Sequence, residues 1–169
     1  VDVQSLDLGA INWTSYGGTP AVFEDGVLKI TTTSKDPAIF SNSSICSVDT
    51  KEADGVRIRI KVTGTIANNV SNTELFFKTN DGKDYAGDKV SVKSINVGEW
   101  NELIFDFRKK ETWKGKIVNL RIDPASFVFD TAEIAEVTFL KLPEIQPEKE
   151  PFTVDINGAE IELFKEPDI

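Results

Sequence analysis

The chain has 169 residues, with 19 Lys and Arg against 28 Asp and Glu, so it carries a formal net charge of −9. That length suits one domain with a sizeable core and an appendage. The acidity argues against a nucleic-acid partner, which demands positive potential, and the absence of histidine beside a single cysteine, Cys46, excludes Ser-His-Asp and Cys-His catalysis, histidine-based metal sites and an intramolecular disulfide.

In chain order, the first feature is a polar, glycine-containing loop, Asn12 to Gly18, that carries Trp13 and Tyr16. Val27-Leu28-Lys29-Ile30 then reads as a strand behind the turn Asp25-Gly26. From Val56 to Val62 apolar and charged residues alternate at every step, putting four β-branched side chains on one face and Arg57, Arg59 and Lys61 on the other. Further strands are expected at Leu75 to Phe77, Val90 to Val92, Asn101 to Phe107, Ile117 to Ile122 and Val137 to Leu142. The loop from Asn80 to Asp88 holds Tyr85, and Val97-Gly98-Glu99 and Lys114-Gly115 mark further turns. Valine (15), isoleucine (16) and threonine (14) outweigh leucine (9), which favours sheet over helix. Many short strands with no sustained helical period mean an all-β, antiparallel β-sandwich of the jelly-roll kind. No apolar run reaches the ~20 residues of a membrane helix, so membrane insertion is not expected. Without methionine, the chain is expected to be a processed protein or a piece of a longer one.

After Leu142 the character changes. Residues 143–151 are rich in Pro and Glu and read as a stiff, solvated linker. Residues 152–169 then offer two alternating strands around Asn157-Gly158, a β-hairpin expected to open a following module. Residues 143–169 hold eight acidic and two basic side chains, and so carry −6 of the −9. The expected sandwich, residues 1–142, is left nearly balanced at −3.

Three stretches together carry a resemblance: Gly98-Glu99-Trp100-Asn101-Glu102-Leu103, Trp113-Lys114-Gly115-Lys116-Ile117 and Leu120-Arg121-Ile122-Asp123-Pro124. With Asp25 to Ile30 and Val56 to Lys61 before them, they are similar to the galactose-binding-like, carbohydrate-binding-type domains of bacterial multimodular surface proteins and secreted glycosidases. The resemblance covers roughly residues 12 to 142. It implies a secreted or cell-surface module that holds a polysaccharide or cell-wall glycan beside neighbouring modules of the same chain. It also implies a possible structural calcium, for which Glu24 and Glu136 are the first candidates, although no cofactor is required. Asp81, Asp84 and Asp88 do not have the alternate spacing of an EF-hand loop.

Sugar recognition needs a flat aromatic face and polar groups for hydroxyls. The candidates are Trp13 and Tyr16, Tyr85, and Trp113, with Arg57, Arg59 and Arg121 as polar partners and Glu102 and Asp106 expected on the face of Arg57. Each has a plainer alternative: loop aromatics folding back as lids on the core, and charged strand faces forming exposed cross-strand ion pairs. Trp113 is open to either role, and Trp100 is expected at a core edge. Only 9% of residues are aromatic, mostly Phe, which is poor for a catalytic cleft, and the chain is read as non-catalytic. A spacer or protein-interaction module without sugar affinity is the alternative function.

Overall fold

The computed structural model describes the chain apart from residues 35, 42–46, 147–150, 157–158 and 165–169, and of 151–164 it describes the backbone alone. The lone Cys46 therefore lies outside the described residues. Among the described residues twelve strands make two antiparallel sheets packed face to face. In chain order they are β1 (Asp2–Ser5), β2 (Trp13–Tyr16), β3 (Val22–Glu24), β4 (Val27–Ile30), β5 (Ala38–Ser41), β6 (Val48–Asp49), β7 (Gly55–Thr63), β8 (Val70–Thr79), β9 (Val90–Asn96), β10 (Trp100–Asp106), β11 (Lys116–Asp123) and β12 (Thr131–Leu140). The first sheet runs β10-β7-β12-β4-β3, with β1 also on β12; the second runs β2-β5-β11-β8-β9, with β6 also on β11. Among the described residues the one helical element is a single 3-10 turn, Ala67–Asn69.

Local chemistry sets each strand. In β7 the alternation predicted from the sequence is real: Val56, Ile58, Ile60 and Val62 are fully buried, whereas Arg57, Arg59 and Lys61 face outward. β3 and β4 join through Asp25 and Gly26, both at positive φ (52° and 80°), as a type I′ hairpin requires. β9 and β10 lie in different sheets, so the chain changes sheet at Val97-Gly98-Glu99. The Asn101 amide secures that turn, donating to the carbonyls of Asn96 and Glu99 at 2.9 Å each while its oxygen accepts from Asn96 N.

Between the sheets lie Phe77, Phe105, Phe107, Phe129 and Phe139 with Ile39, Ile58, Ile60, Ile117 and Leu120. Each such side chain contributes roughly 1.5–3 kcal/mol by leaving water. β13 (Pro151–Ile156) and β14 (Ala159–Phe164) pair with each other in the expected hairpin register, Phe152 opposite Leu163 and Ile156 opposite Ala159. The strands at Asp2–Ser5, Trp13–Tyr16, Val22–Glu24, Ala38–Ser41 and Val48–Asp49 carry too short an alternating run to stand out in the sequence. They exist because long neighbours, chiefly β11 and β12, offer them a ladder.

Candidate functional site

On β8 the odd-numbered residues point into the core and the even-numbered ones, Asn72, Glu74, Phe76 and Lys78, point out. Strand pairing extends this pattern across the second sheet. Thr14, Phe40, Arg121, Phe76 and Val90 fall in one row across β2, β5, β11, β8 and β9. Beside it, Tyr16 stands opposite Ala38, and Asp123, Glu74 and Val92 follow across β11, β8 and β9. Lys78 pairs with Asn119 on the other flank of the first row.

A groove of about 620 Å³ opens on this outer face. Its walls are Tyr16, Asp36, Phe40, Lys78, Asp84, Tyr85 and Arg121, with Ala38 and Ser41 between them. Four separate pieces of chain build it, the fourth being Arg121 on β11. Tyr16, 68% exposed, ends the edge strand β2. Gly17, next to it, has φ +69°, and a Cβ there would lie 2.4 Å from Ser34 Oγ and 3.1 Å from the Asp36 carbonyl. Glycine thus lets Ser34, Asp36 and Pro37 lie close against the end of β2, which carries Asp36 to the groove. The loop between β8 and β9 supplies the opposite wall, Asp84 and Tyr85.

Arg121 and Lys78 are each engaged by a carboxylate. Arg121 donates from Nε and Nη2 to the two carboxylate oxygens of Asp123, at 2.8 and 2.9 Å, and its guanidinium lies 4.6 Å from the Phe76 ring centroid. That hydrogen-bonded carboxylate keeps the guanidinium firmly protonated. Burial still pushes the Asp123 carboxyl above the ordinary aspartate value, Arg121 opposing it. Lys78 Nζ stands 3.4 Å from Asp84 and 5.1 Å from the Tyr85 ring centroid. The Asp84 carboxylate accepts from Tyr85 N at 2.8 Å, and this bond, followed by Lys78, holds its carboxyl below the ordinary range. Tyr85 Oη is buried near the Ser41 hydroxyl, without meeting hydrogen-bond geometry, and burial pushes its pKa up to about 12.

Of the residues proposed from sequence, the structure brings Tyr16, Tyr85 and Arg121 together at one groove and leaves the others elsewhere. Trp113 is a core residue. Its ring stacks on Phe107 at 4.6 Å and 1°, meets Phe77 edge-on, and its Nε1 donates to the Ala53 carbonyl at 2.8 Å. Trp13 turns inward against the core, with Nε1 donating to the Leu8 carbonyl at 3.2 Å. Trp100 is 36% exposed beneath Arg59, whose guanidinium carbon is 5.3 Å from its ring centroid. Arg57 and Arg59 belong to the first sheet, so they and Arg121 occupy opposite outer faces. Arg57 is spent on cross-strand pairing: it meets Glu136 at 2.8 Å, Asp2 at 3.1 Å and Glu102 at 3.9 Å. Asp106 does lie on that sheet, held by Arg108.

The two glutamates proposed for calcium do not fit it. Both oxygens of Glu136 accept from Arg57, so a guanidinium already stands where a cation would. Glu24 is exposed on the edge strand β3. Among the described residues no three potential ligands gather in one place.

Reasoning from sequence missed Phe40, Phe76, Lys78, Asp36, Asp84 and Asp123. One signal was present: in Phe76-Phe77 the strand period of two obliges one ring to leave the core.

No family model and no curated protein matches the chain. Similarity appears at the level of solved structures, whose folds include carbohydrate-binding modules. The xylan-binding module CBM15 aligns with a TM-score of 0.59 and 12% identity, over 82% of this chain and 96% of that one. A variant of a family 29 carbohydrate-binding module aligns with a TM-score of 0.54 and 14% identity, over 80% and 89%. PfGH50B aligns with a TM-score of 0.60 and 16% identity over 83% of this chain, which spans 24% of the length of that protein. Identities this low define the fold: an all-β sandwich of the type found in carbohydrate-binding modules.

Proposed function

We propose that the chain is a non-catalytic carbohydrate-binding module that holds a glycan in the groove between Tyr16, Tyr85 and Arg121. The observation that carries this reading is convergence: three residues selected for sugar chemistry, more than 100 positions apart in sequence at the extremes, line one groove on a sheet face. Tyr16 offers a ring to stack on the apolar side of a pyranose, and Arg121, Asp36 and Asp84 offer donors and acceptors for its hydroxyls. The fold shared with CBM15, a xylan-binding module, supports it. In this reading the galactose-binding-like motifs reflect a common scaffold, and the module serves a secreted or cell-surface protein with neighbouring modules. It uses no metal.

Affinity electrophoresis against a polysaccharide panel, followed by calorimetry with and without EDTA, tests it. At least one glycan should retard the protein, with equal affinity in EDTA. Tyr16→Ala and Tyr85→Ala should each weaken binding about five- to 100-fold, the range of a lost stacking platform (~1–3 kcal/mol, by analogy with base stacking). Absence of retardation on every glycan would favour the spacer or protein-interaction reading.

A further inference from the structure

We propose that the groove selects neutral glycans and excludes carboxylated ones, because the cations among its described residues are already paired with carboxylates and further carboxylates stand beside them; this rests on the glycan-binding reading above. Among the described residues two cations face the groove, and each has a carboxylate. Arg121 is bound two-pronged by Asp123, and Lys78 sits against Asp84. At Lys78 and Arg121 an anionic sugar would therefore have to displace a carboxylate that is already in place.

Two further carboxylates make that exchange worse. Asp36 is part of the groove wall, and Glu74 stands opposite Asp123 in the β8–β11 ladder. Among the described residues neither makes an ion pair within 4 Å, whereas the two cations do. The groove and its rim thus hold Asp36, Glu74, Asp84 and Asp123 against Lys78 and Arg121. The field is felt locally: the Glu74 carboxyl is held above the ordinary glutamate value, by burial first and then by Asp123 and Asp36. A sugar carboxylate entering here would meet the same repulsion.

The same geometry suits hydroxyls. A guanidinium has five N–H donors in one plane. Asp123 takes one from Nε and one from Nη2, which leaves three to reach a pair of sugar oxygens while the ring of Phe76 fixes the plane. Asp36 and Asp84 can accept from neutral hydroxyls, a bond that a carboxylate cannot offer them.

The test pairs each neutral hexose polymer that binds with its own form oxidised to the carboxylate at C6, measured by calorimetry on the full chain. The oxidised form is expected to bind at least about tenfold more weakly. The ratio should narrow in Glu74→Gln, narrow further in Asp36→Asn/Glu74→Gln, and narrow as ionic strength rises from about 0.01 to 0.15 M. Equal or tighter binding of the oxidised polymer overturns the selectivity and leaves the glycan site standing. A gap unmoved by both substitutions and by salt overturns the charge argument in favour of a steric one. If neither form of any polymer binds, the glycan-binding reading fails and the selectivity fails with it. Glu74→Gln, changing one atom on a strand rim, keeps the test available should the double variant not fold.

Discussion

At the residue scale, the tryptophans and tyrosines of this chain divide by what their polar atoms can reach. Trp113 spends its one N–H on the buried Ala53 carbonyl and its faces on Phe107 and Phe77. It is part of the fold's adhesive, although it lies in one of the stretches from which a sugar-binding role was expected. Trp113→Phe keeps the stacking and removes the donor, so the Ala53 carbonyl loses its indole partner inside the core. The expected loss is about 1–3 kcal/mol of stability, read as a lower urea midpoint, with glycan affinity unchanged within about twofold. A selective loss of affinity at unaltered stability would put Trp113 at the ligand instead. Tyr16, by contrast, ends an edge strand with most of its ring in solvent, where it adds little to folding. Sequence could nominate both residues, since each is an aromatic beside polar neighbours. It could not separate them, because burial depends on which strand lies opposite.

At the scale of elements, the wall formed by the β8–β9 loop depends on a buried cation. Lys89 is only 4% exposed and reaches Asp81 with Nζ at 3.1 and 3.4 Å. Its backbone N donates to the Ala86 carbonyl at 2.9 Å, and the Asp88 carbonyl accepts from the Thr112 hydroxyl. The loop is pinned at both sides of Tyr85, so that its ring and Asp84 are in place before a ligand arrives, which limits the ordering cost of binding. Lys89→Met retains the apolar stem and releases Asp81. Affinity for the bound glycan should fall about three- to tenfold, while in a Tyr85→Ala background the same substitution should change it less than about twofold. Equal effects in the two backgrounds would show that Lys89 does not act through Tyr85. The loop itself was legible as a turn-rich, polar stretch. The role of Lys89 was not, since one lysine before Val90-Ser91-Val92 looks like any other.

At the scale of the whole molecule, the described sandwich is tied off at Leu142 and Pro143. Leu142 N donates to Asp54 Oδ1 at 2.8 Å, the Leu142 side chain lies where a Cβ on Gly55 would be, and Arg108 Nη1 donates to the Pro143 carbonyl. Glu144, Ile145 and Gln146 are exposed. Limited digestion with a glutamate-specific protease is therefore expected to cut first after Glu144, leaving a sandwich fragment that keeps its glycan affinity. Mass spectrometry identifies the cut; earlier cleavage inside the sandwich, or loss of affinity with the tail, would contradict the proposed boundary. The two sheet faces also differ in kind. The outer face of the first sheet is a lattice of cross-strand pairs around Arg57, each exposed pair worth under about 1 kcal/mol. The second carries the groove. In the sequence both are strands with outward Arg: Val56 to Val62 and Ile117 to Ile122 look alike, and nothing local assigns them to different sheets.

By itself the sequence determined that this is an antiparallel all-β chain, where its long strands run, which turns join them, and that its acidity belongs mostly to residues after 142. Those properties follow from a side-chain period of two and from turn residues acting over a few positions, so they are written locally. Only the tertiary structure decided which polar face carries the groove. The order β2-β5-β11-β8-β9 sets Tyr16, Asp36, Lys78, Tyr85 and Arg121 around one groove, and sends Arg57 and Arg59 to the far side. That decision lies in pairings between strands far apart in sequence, such as Phe40 opposite Arg121, which the burial of a shared core selects and no short stretch of chain encodes.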